Sequence, residues 1–414
     1  MRVVEPHQFE GVKHPKQKRK RLTFGRLLVV GIISVYALSV FARPVPQITF
    51  ASAALPGTET KKPVIAWPSY GQAAIGAVGY GILGTNGEQK PLPTASVAKV
   101  MTALAVLKQK PLRPGEQGPT ITITEADVAE YARTVAQDGS NVPVVVGEEI
   151  TEYQALQALL LPSANNMAYT LARWAYGSDD KYLAFVNNFS KSLGMKNTYF
   201  DDASGFSSKT ASTAEDLVKL AVNAMDNPVI AEIAAQEVAT IPVAGQIYNV
   251  NMLLGRNGIV GVKTGNTEEA GGCFMAAAVR EINGQKIIAV SVIMGAPNLY
   301  TALKDSVPLI TSVLSGFETK TVVKAGQVVG TYNVPWNGQV NVLAKQAISG
   351  VAWSDSIVMP ITNTNNISAA TTAQTQVGMV SASFGRQKIE SPVVLSQNIA
   401  EPSWSWRLKP RLDF

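Results

Sequence analysis

The sequence predicts an α+β fold, with one sheet flanked by helices and a smaller all-β domain after it. Strand patterns come from both ends of the central region, at 73–83 and again between 259 and 294, while helical patterns occupy its middle. Strands placed around a helical stretch imply a sheet covered by helices. After Gly316 the helical pattern stops, and residues 317–414 are short segments rich in Val, Thr, Gln and Asn, typical of strands. A chain of 414 residues is long enough for two such domains.

The first 26 residues form a basic tail. They contain eight Lys or Arg against two Glu, which leaves 28 basic and 28 acidic residues in the rest of the chain. The formal net charge of +6 therefore belongs to the tail alone. A balanced remainder offers no broad basic face, so the sequence predicts no nucleic-acid partner.

An apolar segment at 27–42 follows the tail. These 16 residues have no charge and end before Arg43. Basic residues ahead of an apolar run keep the tail inside and place the rest of the chain on the extracytoplasmic side of the cell membrane. A membrane anchor and a cleaved signal segment both fit this length, and Ala51–Ala53 is a candidate cleavage site. That site lies far from the apolar run, which favours the anchor; cleavage would release the protein as a secreted one.

A proline-rich stretch separates this segment from the central region. Five prolines lie between Pro44 and Pro68, with little periodicity. Residues 43–66 are therefore predicted to be a linker. The central domain of sheet and helices is predicted at 67–316 and the β-rich domain at 317–414.

The predicted elements of the central region follow in order. Small residues at 73–83 indicate a strand that turns at 85–87, and the apolar run 97–107 indicates a helix buried on every side. Residues 151–176 read as helix, turn and helix, and 185–193 and 213–225 as further helices. Three strands follow at 259–265, 271–281 and 286–294, the last two joined by the hairpin signal Asn283-Gly284.

Cysteine and histidine restrict the chemistry. The single cysteine, Cys273, lies in an apolar strand pattern and is interpreted as inert packing. The only histidines, His7 and His14, lie in the tail. A Ser-His-Asp triad and a His-bearing metal site are therefore excluded outside the tail, and neither a metal nor a cofactor is predicted.

One serine and lysine pair suits nucleophilic catalysis. Ser96 opens the apolar helix, and Lys99, three residues later, lies on the same helical face. A serine hydroxyl needs a base within reach, and a lysine in an apolar helix is costly unless it has a task. The spacing is common by chance, since Ser178 and Lys181 repeat it; that pair is interpreted as a loop or helix cap.

Two further motifs complete an acyl-transfer set. Ser163 and Asn165 lie at the predicted turn between helices, and Lys263, Thr264 and Gly265 lie on a strand. Alone, the first could be an ordinary turn and the second an exposed strand end. Their occurrence in order after Ser96 indicates an acyl-transfer site that works without histidine.

This set and its order resemble the penicillin-recognising serine hydrolases. The flanking residues most resemble the serine D-alanyl-D-alanine carboxypeptidases of low molecular mass, over the segments 93–104, 160–165 and 261–272. The resemblance runs from about 67 to 316. It implies a β-lactamase/transpeptidase-like fold, with a largely antiparallel sheet, helices on both faces and an all-helical lobe, followed by a β-rich module.

The resemblance also implies residue roles. Ser96 would be the nucleophile and Lys99 its base, with a pKa lowered by burial and by Lys263. Ser163 would pass a proton to the leaving amine, while Asn165 would hold the substrate amide and Lys99. The remaining roles are oxyanion binding by the backbone N–H groups of Ser96 and Asn266, carboxylate binding by Lys263 and Thr264, and close substrate approach at Gly265.

The implied activity is removal of the terminal D-alanine from peptidoglycan stem pentapeptides, with β-lactams as covalent inhibitors. A DD-endopeptidase or transpeptidase, a β-lactamase-like hydrolase and an inactive wall-binding scaffold remain alternatives. Three positions depart from the family pattern: Asn166 replaces a frequent aspartate, Asn266 replaces a frequent His or Tyr, and Lys304 is the only cation at 298–305, where an arginine is frequent.

Overall fold

The computed structural model describes residue 3 and residues 17–409, with side chains from residue 24 onward. Most of the basic tail, including His7 and His14, lies outside the described residues. The helices of the described chain are α1 (Gln17–Ala42), α2 (Lys99–Gln109), α3 (Glu125–Ala136), α4 (Glu152–Leu160), α5 (Asn165–Tyr176), α6 (Asp179–Ser192), α7 (Ala214–Asp226), α8 (Pro228–Ala234), α9 (Leu299–Ser315) and α10 (Trp404–Leu408).

The strands before residue 300 are β1 (Thr49–Ser52), β2 (Gln72–Ala77), β3 (Gly81–Asn86), β4 (Leu92–Pro93), β5 (Thr120–Thr122), β6 (Glu149–Thr151), β7 (Ala211–Ser212), β8 (Val238–Ile241), β9 (Gly245–Tyr248), β10 (Ile259–Thr267), β11 (Gly271–Ile282) and β12 (Gln285–Ala296). Those after it are β13 (Phe317–Val323), β14 (Val328–Val334), β15 (Gly338–Ala344), β16 (Ile348–Trp353), β17 (Ile361–Thr364), β18 (Gln376–Phe384) and β19 (Gln387–Leu395).

The central sheet has five antiparallel strands in the order β10-β11-β12-β2-β3. Strand β12, late in the region, pairs with β2 from its start, with Ser291 opposite Ile75. The predicted α+β class is therefore confirmed. Strand β10 lies at one edge of this sheet.

Helices cover both faces of the sheet. Because side chains alternate along a strand, Cys273 and Met275 face one core, while Phe274 and Ala276 face the other. The first core also contains residues of α2, α4, α5 and α7, and the second contains residues of α9. Helix α9, with Pro308 inside it, was not among the helices that the sequence predicted.

The first predicted strand is a hairpin. Residues 73–83 form all but the first residue of β2, a tight turn and the start of β3. Gly79 and Gly81 have φ values of +83° and +74°, which glycine adopts without steric cost. The prediction of a single strand was wrong because small residues hide the turn in the apolar pattern.

The β-rich module contains a six-stranded sheet in the order β1-β14-β15-β19-β18-β17 and the pair β13-β16. Helix α9 ends at Ser315 and β13 begins at Phe317, on either side of the boundary that the sequence suggested. Strand β1 comes from the predicted linker, so this stretch is not a free spacer throughout. Phe50 packs on Tyr332 with ring centroids 5.3 Å apart, and apolar contact fixes the short strand there.

Helix α1 contains an exposed apolar segment. Residues Phe24–Ala42 have a mean hydropathy of 2.0, and only 6% of the most apolar window is buried. Length and composition therefore suit a membrane span, and a signal segment near the N-terminus passes the same test.

Candidate active site

Ser96 and Lys99 lie at the start of α2. Ser96 belongs to a 3-10 turn over Ala95–Ala98 that continues directly into the helix at Lys99. The Lys99 side chain is fully buried, and its Nζ lies 2.8 Å from Ser96 Oγ. The predicted pair is therefore brought into hydrogen-bond reach.

Two further acceptors surround the Lys99 amine. Its Nζ donates to Asn165 Oδ1 at 2.6 Å and to the Ser204 carbonyl at 3.0 Å. Burial lowers the pKa of Lys99 well below its ordinary value, and the charge of Lys263 lowers it further, while Asp202 acts in the opposite direction. A lowered pKa favours the neutral amine, which is the form that a general base requires.

Ser163 and Asn165 lie between α4 and α5, as predicted. Ser163 has a φ of +69°, and its buried Oγ has no hydrogen-bond partner among the residues described. Asn165 is fixed by its backbone N–H, which donates to the Ser140 carbonyl at 2.7 Å. The Ser163 hydroxyl is therefore available for a group that enters the site.

Lys263 and Thr264 lie on the edge strand β10. Lys263 is 1% exposed, its Nζ donates to the Thr264 carbonyl at 3.1 Å, and burial lowers its pKa to about 7. At neutral pH this amine is therefore partly charged. The Asn266 side chain is exposed beside it.

Gly265 allows β10 to approach the Ser96 turn. A Cβ at this position would lie 3.1 Å from the Thr94 carbonyl and the Ala95 Cβ, and 3.2 Å from the Ser96 nitrogen. The family resemblance implied that this glycine allows close approach of the substrate. The geometry adds a structural reason, because any side chain would push the strand away from the nucleophile.

The positions that depart from the family pattern have defined places. Asn166 is fully buried, and its side chain donates to the Val142 carbonyl and accepts from the Val142 N–H. Lys304 is exposed on α9, which packs on the opposite face of the sheet from α2. Cys273 is buried, and burial raises its pKa to about 11, in agreement with inert packing.

The segment 202–210 contributes to the site without having been predicted from the sequence. Ser204 supplies the third atom bound to Lys99, and Asp202 holds Ser204 through its side-chain hydroxyl at 2.6 Å. No spacing signal links these residues to Lys99, which is more than 100 positions away. The only hint is a short polar stretch that ends in Gly205.

Fold and site together fit a serine hydrolase, with Ser96 and Lys99 as the candidate nucleophile and base. The chain belongs to the D-alanyl-D-alanine carboxypeptidase family, whose profile matches residues 75–298.

Curated relatives agree with this membership. A D-alanyl-D-alanine carboxypeptidase of Streptomyces sp. strain K15 is 34% identical over 245 residues, which cover 55% of this chain and 81% of the relative. A D-alanyl-D-alanine endopeptidase of Escherichia coli K12 is 29% identical over 231 residues, 54% of this chain and 70% of the relative.

A solved structure extends the likeness in fold beyond the catalytic region. The D-alanyl-D-alanine carboxypeptidase DacD from Francisella tularensis aligns with a TM-score of 0.57 and 18% identity, over 83% of this chain and 97% of that one. The family profile ends at residue 298, whereas the alignment with this structure covers 83% of the chain. The alignment therefore includes part of the β-rich module.

Proposed function

We propose that this enzyme removes the terminal D-alanine from peptidoglycan stem pentapeptides through an acyl-enzyme on Ser96. Membership of the carboxypeptidase family supports the substrate and the reaction. The observation that supports the residue assignment is the buried Lys99 amine, 2.8 Å from the Ser96 hydroxyl.

Acylation begins when Lys99 accepts the Ser96 proton and Oγ attacks the carbonyl between the two D-alanines. The N–H groups of Ser96 and Asn266 stabilise the negative oxygen of the tetrahedral intermediate. Ser163 donates its proton to the departing amine and regains one from Lys99. The unpartnered Ser163 hydroxyl and the bond from Lys99 to Asn165 support these assignments.

Deacylation repeats these steps with water as the nucleophile. Lys99 accepts a proton from water, the hydroxyl attacks the ester, and Ser96 leaves with its proton restored. The products are the shortened peptide and free enzyme. An amine in place of water would give transpeptidation on the same residues.

The terminal carboxylate of the substrate binds Lys263 and the Thr264 hydroxyl. A peptide added to the free edge of β10 presents its C-terminus to this pair. Because the pKa of Lys263 is about 7, an approaching carboxylate favours the charged amine.

Endopeptidase activity on crosslinked peptides is the second candidate. The E. coli relative of 29% identity, an endopeptidase, favours it. A β-lactamase is disfavoured because the Glu-x-x-Leu-Asn deacylation motif does not occur in residues 166–262. Retention of Ser96 and Lys99 in bonding geometry argues against an inactive scaffold.

Peptidoglycan and β-lactam antibiotics are thus the proposed ligands, and α1 is the proposed link to the cell membrane. The basic tail supports an orientation with the catalytic domain on the extracytoplasmic side. Residues 43–66 remain the proposed connection, although β1 within them joins the β-rich module.

Labelling with a fluorescent penicillin tests the proposal. Wild-type protein should form a covalent adduct and release D-alanine from a pentapeptide ending in D-Ala-D-Ala. Ser96→Ala should abolish both activities, whereas Ser178→Ala should retain both. Loss of activity in the second variant alone would contradict the assignment of the nucleophile.

A further inference from the structure

A buried carboxylate outside the three motifs lies behind the catalytic lysine. Asp202 is 7% exposed, and its carboxylate accepts hydrogen bonds from six donors. The donors are Ser204 N (3.2 Å), Ser204 Oγ (2.6 Å), Gly205 N (3.1 Å), Phe206 N (3.0 Å), Thr210 Oγ1 (2.5 Å) and Tyr169 OH (3.3 Å). Three of them are backbone N–H groups of one turn, residues 202–206, called here the Asp202 turn.

The Asp202 turn contacts both ends of the Ser96–Lys99 segment. The Ser204 carbonyl accepts from Lys99 Nζ at 3.0 Å. Gly205 has a φ of +76°, and a Cβ there would lie 1.9 Å from the Ala95 carbonyl oxygen. The turn therefore cannot shift without disturbing the nucleophile or its base.

Thr210 connects the same carboxylate to the chain before the nucleophile. Its Oγ1 donates to Asp202, and its carbonyl accepts from the Thr94 N–H at 3.1 Å. Asp202 thus holds two groups that contact the chain on either side of Ser96. The Ser204 carbonyl contacts Lys99, and the Thr210 carbonyl contacts Thr94.

The Ser204 carbonyl influences the direction of the lone pair when the Lys99 amine is neutral. Such an amine has two N–H donors and one lone pair. Asn165 Oδ1 and the Ser204 oxygen are both acceptors, so together they occupy the two N–H groups. The lone pair is then directed to the third neighbour, the Ser96 hydroxyl, as a general base requires.

The charge of Asp202 acts on the same amine. It raises the pKa of Lys99 against the lowering by burial and by Lys263. The other titratable groups at Asp202 are Tyr169, Tyr182 and, over the Tyr169 ring at 4.9 Å, Arg133. Burial raises the pKa of both phenols, so they stay neutral near pH 7.

We propose that Asp202 is a positioning residue for acylation: it holds the Ser204 carbonyl against the Lys99 amine, and its negative charge counteracts the positive charge of Lys263 at that amine. This inference rests on the function proposed above. In this proposal the Asp202 turn directs the lone pair of the neutral Lys99 amine towards Ser96. The charge of Asp202 affects the pH at which Lys99 becomes active as a base.

The test is the pH profile of penicillin acylation in Asp202→Asn, with Asp202→Ser as a second neutral variant. Both remove the charge, so Lys99 should lose its proton at lower pH and the acid limb should move to lower pH. Loosening of the turn should lower the plateau rate about 10- to 100-fold, the scale of a misplaced catalytic group.

Two controls separate charge from position. Asp201→Asn changes a neighbouring carboxylate that accepts from Ser207 Oγ, and it should leave the profile unchanged. Ser204→Ala keeps the carbonyl and the Asp202 charge but removes two bonds of the hydroxyl, one donated to Asp202 and one accepted from the Phe206 N–H. The rate should therefore fall about 2- to 10-fold, with the limb in place.

An acid limb that stays at its wild-type pH in the neutral variants would overturn the proposal. If neither neutral variant folds, Ser204→Ala decides, and an unchanged rate would be the contrary result. Failure of the wild type to form an adduct would instead refute the proposed function, whereas labelled wild type with variants that match it would refute this inference alone.

Discussion

Two segments of this chain share the Ser-x-x-Lys spacing, and they are used differently. At the start of α2, Lys99 is fully buried and its amine lies 2.8 Å from Ser96 Oγ. At the start of α6, Ser178 is the N-cap, and its Oγ accepts from the backbone N–H of Lys181 at 3.2 Å. The same spacing thus gives a side-chain pair in one place and a helix cap in the other.

Burial explains the difference. A lysine in water stays protonated near pH 7, whereas burial and the charge of Lys263 lower the pKa of Lys99. Lys181 is exposed and lies on a helix with an exposed face. The motif therefore gives only the spacing of the two side chains. Burial in the surrounding core lowers the pKa of Lys99 and so distinguishes it from Lys181.

The largest effect is expected for Lys99→Arg. A guanidinium stays protonated near neutral pH, so the variant has no base, and acylation by penicillin should fall at least about 1,000-fold. Rapid-mixing measurement of adduct formation tests this. Lys181→Arg is the matched control and should acylate at the wild-type rate. Normal acylation by the Lys99 variant would remove the role assigned to that amine.

The contrast also shows what sequence could predict. The three motifs were placed correctly at the start of α2, at the α4–α5 turn and on β10, because each lies in or beside an element with a strong local signal. Ser178 was correctly interpreted as a cap for the same reason. Local patterns were sufficient at these sites, although they missed the turn between β2 and β3 and helix α9.

Contacts across long stretches of sequence could not be predicted in this way. Strand β1 pairs with β14, with Phe50 opposite Tyr332, and four residues give too short an alternation to signal a strand. The bond from Lys99 to the Ser204 carbonyl spans 105 positions and uses a backbone atom, which no residue type announces. Such features depend on tertiary packing and need the structure.

A second prediction concerns Lys263, the other buried amine of the candidate site. Lys263→Gln removes the charge that is proposed to bind the substrate carboxylate, and it removes one cause of the low Lys99 pKa. We expect kcat/KM to fall about 10- to 100-fold for a peptide with a free C-terminus, the scale of a lost charged hydrogen bond. The fall should be much smaller for the same peptide with an amidated C-terminus. Equal proportional losses on both peptides would show that Lys263 does not bind the carboxylate.

The two amines should also give the wild-type enzyme opposite pH limbs. Lys99 must be neutral, so acylation should fall as pH drops through its lowered pKa. Lys263 must be charged, and since its pKa is about 7, kcat/KM for the free-acid peptide should fall as pH rises above that value. A pH profile of kcat/KM should therefore be bell-shaped, and its alkaline limb should weaken for the amidated peptide. An alkaline limb equal for both peptides would contradict this assignment.

The smallest effect is expected at the second Ser-x-x-Lys segment, and it should appear in stability alone. Ser178→Ala removes the acceptor for the Lys181 N–H, and loss of such a cap costs about 0.5–2 kcal/mol in the free energy of unfolding. Ser96 caps no helix, because the N-cap of its 3-10 turn is Thr94, so Ser96→Ala should leave stability nearly unchanged. Urea denaturation of both variants, followed by penicillin labelling, should therefore give opposite outcomes: lower stability with full labelling for Ser178→Ala, and wild-type stability without labelling for Ser96→Ala. If the Ser178 variant unfolded at the wild-type urea concentration, its hydroxyl would contribute no cap and the contrast between the two segments would rest on chemistry alone.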